Sequence, residues 1–215
     1  MDLVALIQGR INFIRRFYEK AARPFETTKH QIEKRKGRYQ HNPSGYDPQD
    51  CEPPYLDDWF EADVALNVVG QSCLCLTQIS FRDFLHGFVE QRGCARPNTK
   101  KNWFRKYKEF FRERYTIDWD KGPVDLAVLE DMCLTRNGIQ HTQHHGRFYN
   151  LERKQTSEHR NRFPDSIFAD DLDKRLFPSE KTSEPYRIKV TRDNLWVVLD
   201  AVEKFCAFLM EQNHS

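Results

Sequence analysis

The amino-acid sequence predicts an all-α fold, an up-and-down bundle of four to five helices with long polar loop insertions, and three observations carry that prediction. Apolar residues recur at helical spacing in several separate stretches. Each stretch has one apolar face, and packing those faces against one another is the economical way to bury them. The 215 residues, 39% hydrophobic and 31% charged, hold enough apolar material for one core, whereas two complete domains would each be small. A single domain over residues 1–215 is expected.

In the first helix, from Asp2 to about Ala22, Leu3, Leu6, Ile7, Ile11, Ile14 and Phe17 form the apolar face. Pro24 should stop or kink it, with a charged continuation toward Lys36 also allowed. Residues 37–57 are rich in Pro, Gly, Asn and Asp and lack an apolar period, which predicts a long loop. The strongest helical pattern runs from Trp59 to Val89. Ser80 followed by Asp83 has the form of a capping box, so one long helix or two abutting helices both fit. Gly93 and Pro97 end the pattern.

From Thr99 to Tyr115 the aromatics Trp103, Phe104, Tyr107, Phe110 and Phe111 alternate with basic residues. After Gly122-Pro123, Leu126, Val128, Leu129, Met132 and Cys133 form the stripe of a further helix. Residues 142–185 have few apolar residues and many charges, and read as a polar insertion or lid. Tyr186 to Val190 reads as a short extended segment. Thr191 then caps a last helix whose face is Leu195, Val198, Leu199, Val202, Phe205, Leu209 and Met210.

A formal net charge of +2 provides no whole-molecule field toward nucleic acid or membrane. The six cysteines form no C-x-x-C pair, which argues for buried thiols in a reducing compartment. Polar residues interrupt the apolar run from Val64 to Leu76, and the N-terminus lacks the pattern of an export signal. The expectation is a cytoplasmic protein without membrane contact, cofactor or resident metal.

The most informative segment is Leu134-Thr135-Arg136-Asn137-Gly138-Ile139-Gln140-His141. Leu126, Leu129 and Cys133 define a buried stripe, and a further step of three places Arg136 on it. A guanidinium on a packed face needs an anionic partner, either a protein carboxylate or a ligand phosphate. His141 lies five residues on, roughly 140° around an ideal helix. The two side chains converge if the helix loosens at Asn137-Gly138, or if a second copy of the chain brings its own motif to a shared cleft.

Arg136-Asn137-Gly138-Ile139-Gln140-His141, at the end of a helix in an all-α bundle, resembles the Arg-x(4 to 6)-His motif of the HEPN superfamily, in which a polar residue often follows the arginine. The resemblance implies a metal-independent endoribonuclease, commonly a homodimer with facing motifs, often serving as a toxin or an anti-phage or stress effector. Arg136, Asn137 and His141 would be its catalytic residues. His141 would take the proton from a ribose 2′-OH, Arg136 would hold the phosphate oxygens, and Asn137 would orient the phosphate or the histidine. Cleavage would leave a 2′,3′-cyclic phosphate and a 5′-hydroxyl, and DNA would be inert. Lys100, Lys101, Arg105, Lys108 and Arg147 are the candidate RNA-binding cations, with base stacking on the interleaved aromatics. One subgroup of the family has a tyrosine two residues after the histidine, modified by a nucleotidyltransferase antitoxin. This chain has Thr142 and Gln143 there, so control would fall to another inhibitory or regulatory protein or to the 142–185 insertion.

Other readings stay open beside this one. Arg136 pairs with an acidic core neighbour and His141 caps a helix end, or the bundle is a non-catalytic RNA-, nucleotide- or protein-binding module. The aromatics of the 99–115 helix face the core while its charges face water. His141, His144 and His145 offer a partial zinc set. His86 and Glu90 pair at a helix surface, and the basic run from Lys29 to Arg38 is a solvated face.

Overall fold

The computed structural model describes residues 2–40, 55–98, 102–140, 165–176 and 187–212, and among these helical periodicity becomes six α-helices. They are α1 (Leu3–Glu33), α2 (Leu56–Gln91), α3 (Trp103–Tyr115), α4 (Leu126–Gln140), the short α5 (Asp171–Leu176) and α6 (Arg192–Glu211). No strand occurs among the described residues; the one pairing outside helices is an antiparallel bridge between Ala169 and Ile188. The fold is an all-α, up-and-down helical bundle.

Asp2 caps α1 by accepting from the backbone N–H groups of Val4 and Ala5, each at 3.0 Å. Leu3, Ile7, Ile11, Ile14, Tyr18 and Ala22 then line its buried face. Phe17, read as part of that face, is 39% exposed, and Tyr18 takes the inward position. Pro24 neither stops nor ends the helix. Contacts with α2 hold the turns beyond it: Lys29 pairs with Asp63 and sits 4.0 Å over the Trp59 ring, while Trp59 donates to Glu33 at 3.0 Å. These offset the backbone hydrogen bond that proline removes.

α2 is one continuous helix of 36 residues. Ser80 is buried within it and Asp83 pairs with Arg10 of α1 at 2.8 Å, so this Ser-x-x-Asp pattern serves packing and not a helix start. At its end Gly93 adopts a φ of +64°, and the N–H of Cys94 reaches back to the carbonyl of Val89 at 3.3 Å, a closure that glycine makes without strain. By length and composition α2 could cross a membrane, with a mean hydropathy of 1.4 over its most apolar window. In the bundle it is the central helix, packed on α1, α4 and α6.

The Arg10–Asp83 and Lys29–Asp63 pairs set α1 antiparallel to α2. Arg192–Glu19 and Arg15–Asp200 set α6 antiparallel to α1. α3 closes the bundle through aromatics: Phe104, Tyr107 and Phe111 point inward, and Trp119, fully buried, lies 5.3 Å from Phe111 and 5.0 Å from Phe205 between ring centroids. The α3 aromatics therefore form core, which removes Phe104, Tyr107 and Phe111 as platforms for base stacking.

Within the span read as a polar insertion, residues 165–170 belong to the packed structure. Phe168 is fully buried. Asp131 of α4, itself buried, accepts from the Ser166 hydroxyl at 2.9 Å and the Ile167 N–H at 3.0 Å. Across the bundle, Asn67 of α2 uses both ends of its amide on the 187–190 segment, donating to the Ile188 carbonyl and accepting from the Val190 N–H, each at 2.9 Å. Thr191 caps α6, as its position in the sequence predicts. The remainder of the 37–57 and 142–185 spans, residues 41–54, 142–164 and 177–185, lies outside the described residues.

Candidate functional site

α4 carries Arg136 to the place that the stripe of Leu126, Leu129 and Cys133 predicts, although Leu126 itself is only partly buried. Leu129 and Cys133 are buried, as is Met132 beside them, and Arg136, at the next step, is half-buried. The helix continues unbroken through Asn137-Gly138 to Gln140, so it does not loosen at that dipeptide. His141 lies outside the described residues.

One nitrogen of the Arg136 guanidinium, Nη1, donates to Oδ1 of Asn137 at 3.2 Å. Its Nε is buried and has no acceptor among the described residues. Burial lowers the pKa of Arg136, the positive charge of Arg82 adds to that, and Cys75 and Cys133 act in the opposite sense. No carboxylate among the described residues pairs with Arg136. The acids on the neighbouring helices are engaged elsewhere: Asp83 by Arg10, Glu90 by Arg96, Glu130 by Arg105 at 3.3 Å, and Asp131 by Ser166 and Ile167. The reading in which an acidic core neighbour answers Arg136 therefore has no support among these residues.

Arg82 on α2, not singled out by the sequence, is the second cation of this region. Among the described residues its Nε is also buried without an acceptor, and it forms no ion pair. One turn further along α2, His86 lies against Tyr107 of α3, 5.9 Å between ring centroids. Burial lowers the pKa of His86, and Arg96 and Arg82 lower it further against the pull of Asp83 and Glu90. Glu90, read as a surface partner of His86, pairs with Arg96.

A cleft of about 120 Å³ opens where α3 begins beside the second half of α4, lined by Trp103, Phe104, Arg105, Glu130, Leu134 and Asn137 among others. Asn137 thus connects the Arg136 guanidinium with an accessible surface. Of the candidate RNA-binding cations, Arg105 lines this cleft and pairs with Glu130, while Lys108 pairs with Asp120 at 2.6 Å. Both sit on the outer face of α3 with an adjacent carboxylate. Lys100, Lys101 and Arg147 lie outside the described residues, as do His144 and His145 of the zinc reading. Among the described residues no group of three or more His, Cys, Asp or Glu is placed to hold a metal ion.

A second cleft, about 260 Å³, is lined by Tyr18, Lys29, Asp63, Lys189 and Arg192 among others. Its charges answer one another. Asp63 pairs with both Lys29 and Lys189, and Arg192 pairs with Glu19. By contrast, neither Arg82 nor Arg136 forms an ion pair among the described residues.

The chain matches no family model, no curated protein and no solved structure.

Proposed function

We propose that this chain is a HEPN-type, metal-independent endoribonuclease acting in the cytoplasm as a homodimer. The observation that carries the reading is the half-buried Arg136 guanidinium, linked to Asn137 and answered by no carboxylate among the described residues. A buried guanidinium without a protein anion is suited to a substrate phosphate. In the reaction His141 takes the 2′-OH proton of a ribose, and the resulting oxygen attacks the adjacent phosphorus. Arg136 holds the non-bridging oxygens as charge develops on them, and Asn137 fixes the guanidinium and the phosphate in register. The departing 5′-oxygen takes a proton from His141 of the second copy, leaving a 2′,3′-cyclic phosphate and a 5′-hydroxyl. Such an activity fits a toxin, anti-phage or stress effector held in check by a regulatory protein.

The unbroken course of α4 through Gly138 favours a second reading, a non-catalytic RNA- or nucleotide-binding module that uses Arg136 and Asn137 for affinity alone. The two readings separate in one experiment. Purified protein, Arg136→Gln and His141→Ala are incubated with mixed cellular RNA and matched DNA in the presence of a chelator, and the RNA ends are analysed. Cleavage of RNA alone, with cyclic phosphate ends and loss in both variants, is the expected outcome. RNA bound but left intact decides for the module.

A further inference from the structure

We infer that the outer face of α2 is where a second copy of this chain docks, the two α2 helices crossing antiparallel about a two-fold axis at Ser72. This names the surface for the second copy invoked above, but it stands on the architecture of α2 and holds whether or not RNA is cut.

α2 is apolar enough to cross a membrane, yet only 44% of its most apolar window is buried. Its inner side packs on α1, α4 and α6. On its outer side Ala65, Val68, Ser72, Cys75 and Ile79 follow one another at alternating steps of three and four. That spacing keeps a narrow stripe on one face and is the seam of a helix pair. Val68 and Ser72 are exposed and the other three half-buried, while Leu76, beside the stripe, is 39% exposed against 46% for Val68. Ala65, Ser72 and Cys75 are small, so a second helix can approach closely. A continuous apolar face of this kind marks an interaction site, where scattered exposed residues would not.

The charges at the two ends of the stripe identify its occupant. Glu61, four residues before Ala65, is exposed and forms no ion pair among the described residues. Arg82, three residues after Ile79, forms none there either. Glu61 stands eleven residues before Ser72 and Arg82 ten after it. At about 1.5 Å per residue these are about 16.5 Å and about 15 Å, so an antiparallel copy crossing at Ser72 brings Arg82 opposite Glu61 at both ends. The same crossing sets Val68 of one copy beside Leu76 of the other, each four residues from Ser72, as a self-complementary interface requires. A parallel crossing would set Glu61 against Glu61 and Arg82 against Arg82, which charge repulsion opposes.

The intact protein is sedimented over a series of concentrations, and a dimer is expected at micromolar concentration and above. Leu76→Lys changes a position that the single chain leaves exposed and sets two uncompensated charges in the crossing. It should weaken the dimer about a hundredfold or more while the helical circular dichroism stays as it is. Glu61→Arg and Arg82→Glu should each weaken it about tenfold or more, and the double variant should restore it. Mild oxidation of Ser72→Cys should join the substituted positions of two chains by a disulfide, identified by mass mapping. A wild type that is monomeric throughout overturns the inference, and its binding to phospholipid vesicles would assign the face to a membrane instead. A dimer that Leu76→Lys and Glu61→Arg leave intact, or a Ser72→Cys variant without that cross-link, overturns it as well. A dimer of this geometry that leaves RNA intact retains the face and rejects the ribonuclease; RNA cut by a protein that is monomeric throughout does the reverse.

Discussion

Replacing Gly70 by alanine should destabilise the protein, although the same change inside a helix ordinarily stabilises it. Gly70 is buried on α2, and a Cβ there would stand 2.1 Å from the Val190 carbonyl oxygen and 3.0 Å from the Val190 carbonyl carbon. Ordinary contact begins at 3.4 Å, so helix and segment must part by about 1.3 Å. That movement would stretch both bonds of the Asn67 amide, now 2.9 Å each, beyond hydrogen-bonding range. Losing them costs about 1 kcal/mol each. Overpacking adds about 1–3 kcal/mol. The better helix propensity of alanine returns about 1 kcal/mol, which leaves a net loss of about 2–4 kcal/mol. Gly9 is the companion site. It is exposed on α1 with nothing within 4 Å of its Cβ position, so Gly9→Ala should stabilise by up to about 1 kcal/mol. Urea unfolding of the two variants measures the difference. A Gly70→Ala protein as stable as the wild type, or shifted in the same direction as Gly9→Ala, would refute the close packing of α2 on residues 187–190.

Burial acts to raise the pKa of Asp63, but Lys29 and Lys189 outweigh it and hold the carboxyl below its ordinary value. A depressed folded-state pKa gives a stabilisation that is complete above the unfolded value, near 4, and lost as pH falls through the folded value. Wild type should therefore lose more stability than Asp63→Asn between about pH 6 and about pH 3 in urea titrations, and parallel curves would count against the pairing. Thiol chemistry gives another test. Hydrogen bonding from Tyr115, with help from Arg114, lowers the pKa of Cys94, while burial raises those of Cys73 (to about 12), Cys133 and Cys206. Among these four, Cys94 should react first with an aromatic disulfide reagent in the native state, and the other three only after denaturant is added. Mass mapping of the labelled peptides gives the order.

Local patterns by themselves determined the helical class, the inward faces of α1 (Phe17 apart), α3, α4 and α6, the Thr191 cap, and the place of Arg136 at the end of a buried stripe. These follow from spacing along a single helix, where a period of 3.6 residues decides which side chains share a face. Only the tertiary structure carried α1 past Pro24, because Lys29, Trp59 and Glu33 meet across two helices. It also kept α2 whole at Ser80 and drew Phe168 into the core from a span whose composition is polar. Arg82 belongs to that second group. Nothing in its local sequence distinguishes it from a surface charge on an amphipathic helix; its buried Nε, and the engagement of Asp83 by Arg10 and of Glu90 by Arg96, arise only in the assembled bundle. Charge balance at a site sums over every element that packs around it, so it is fixed only when distant parts of the chain are assembled.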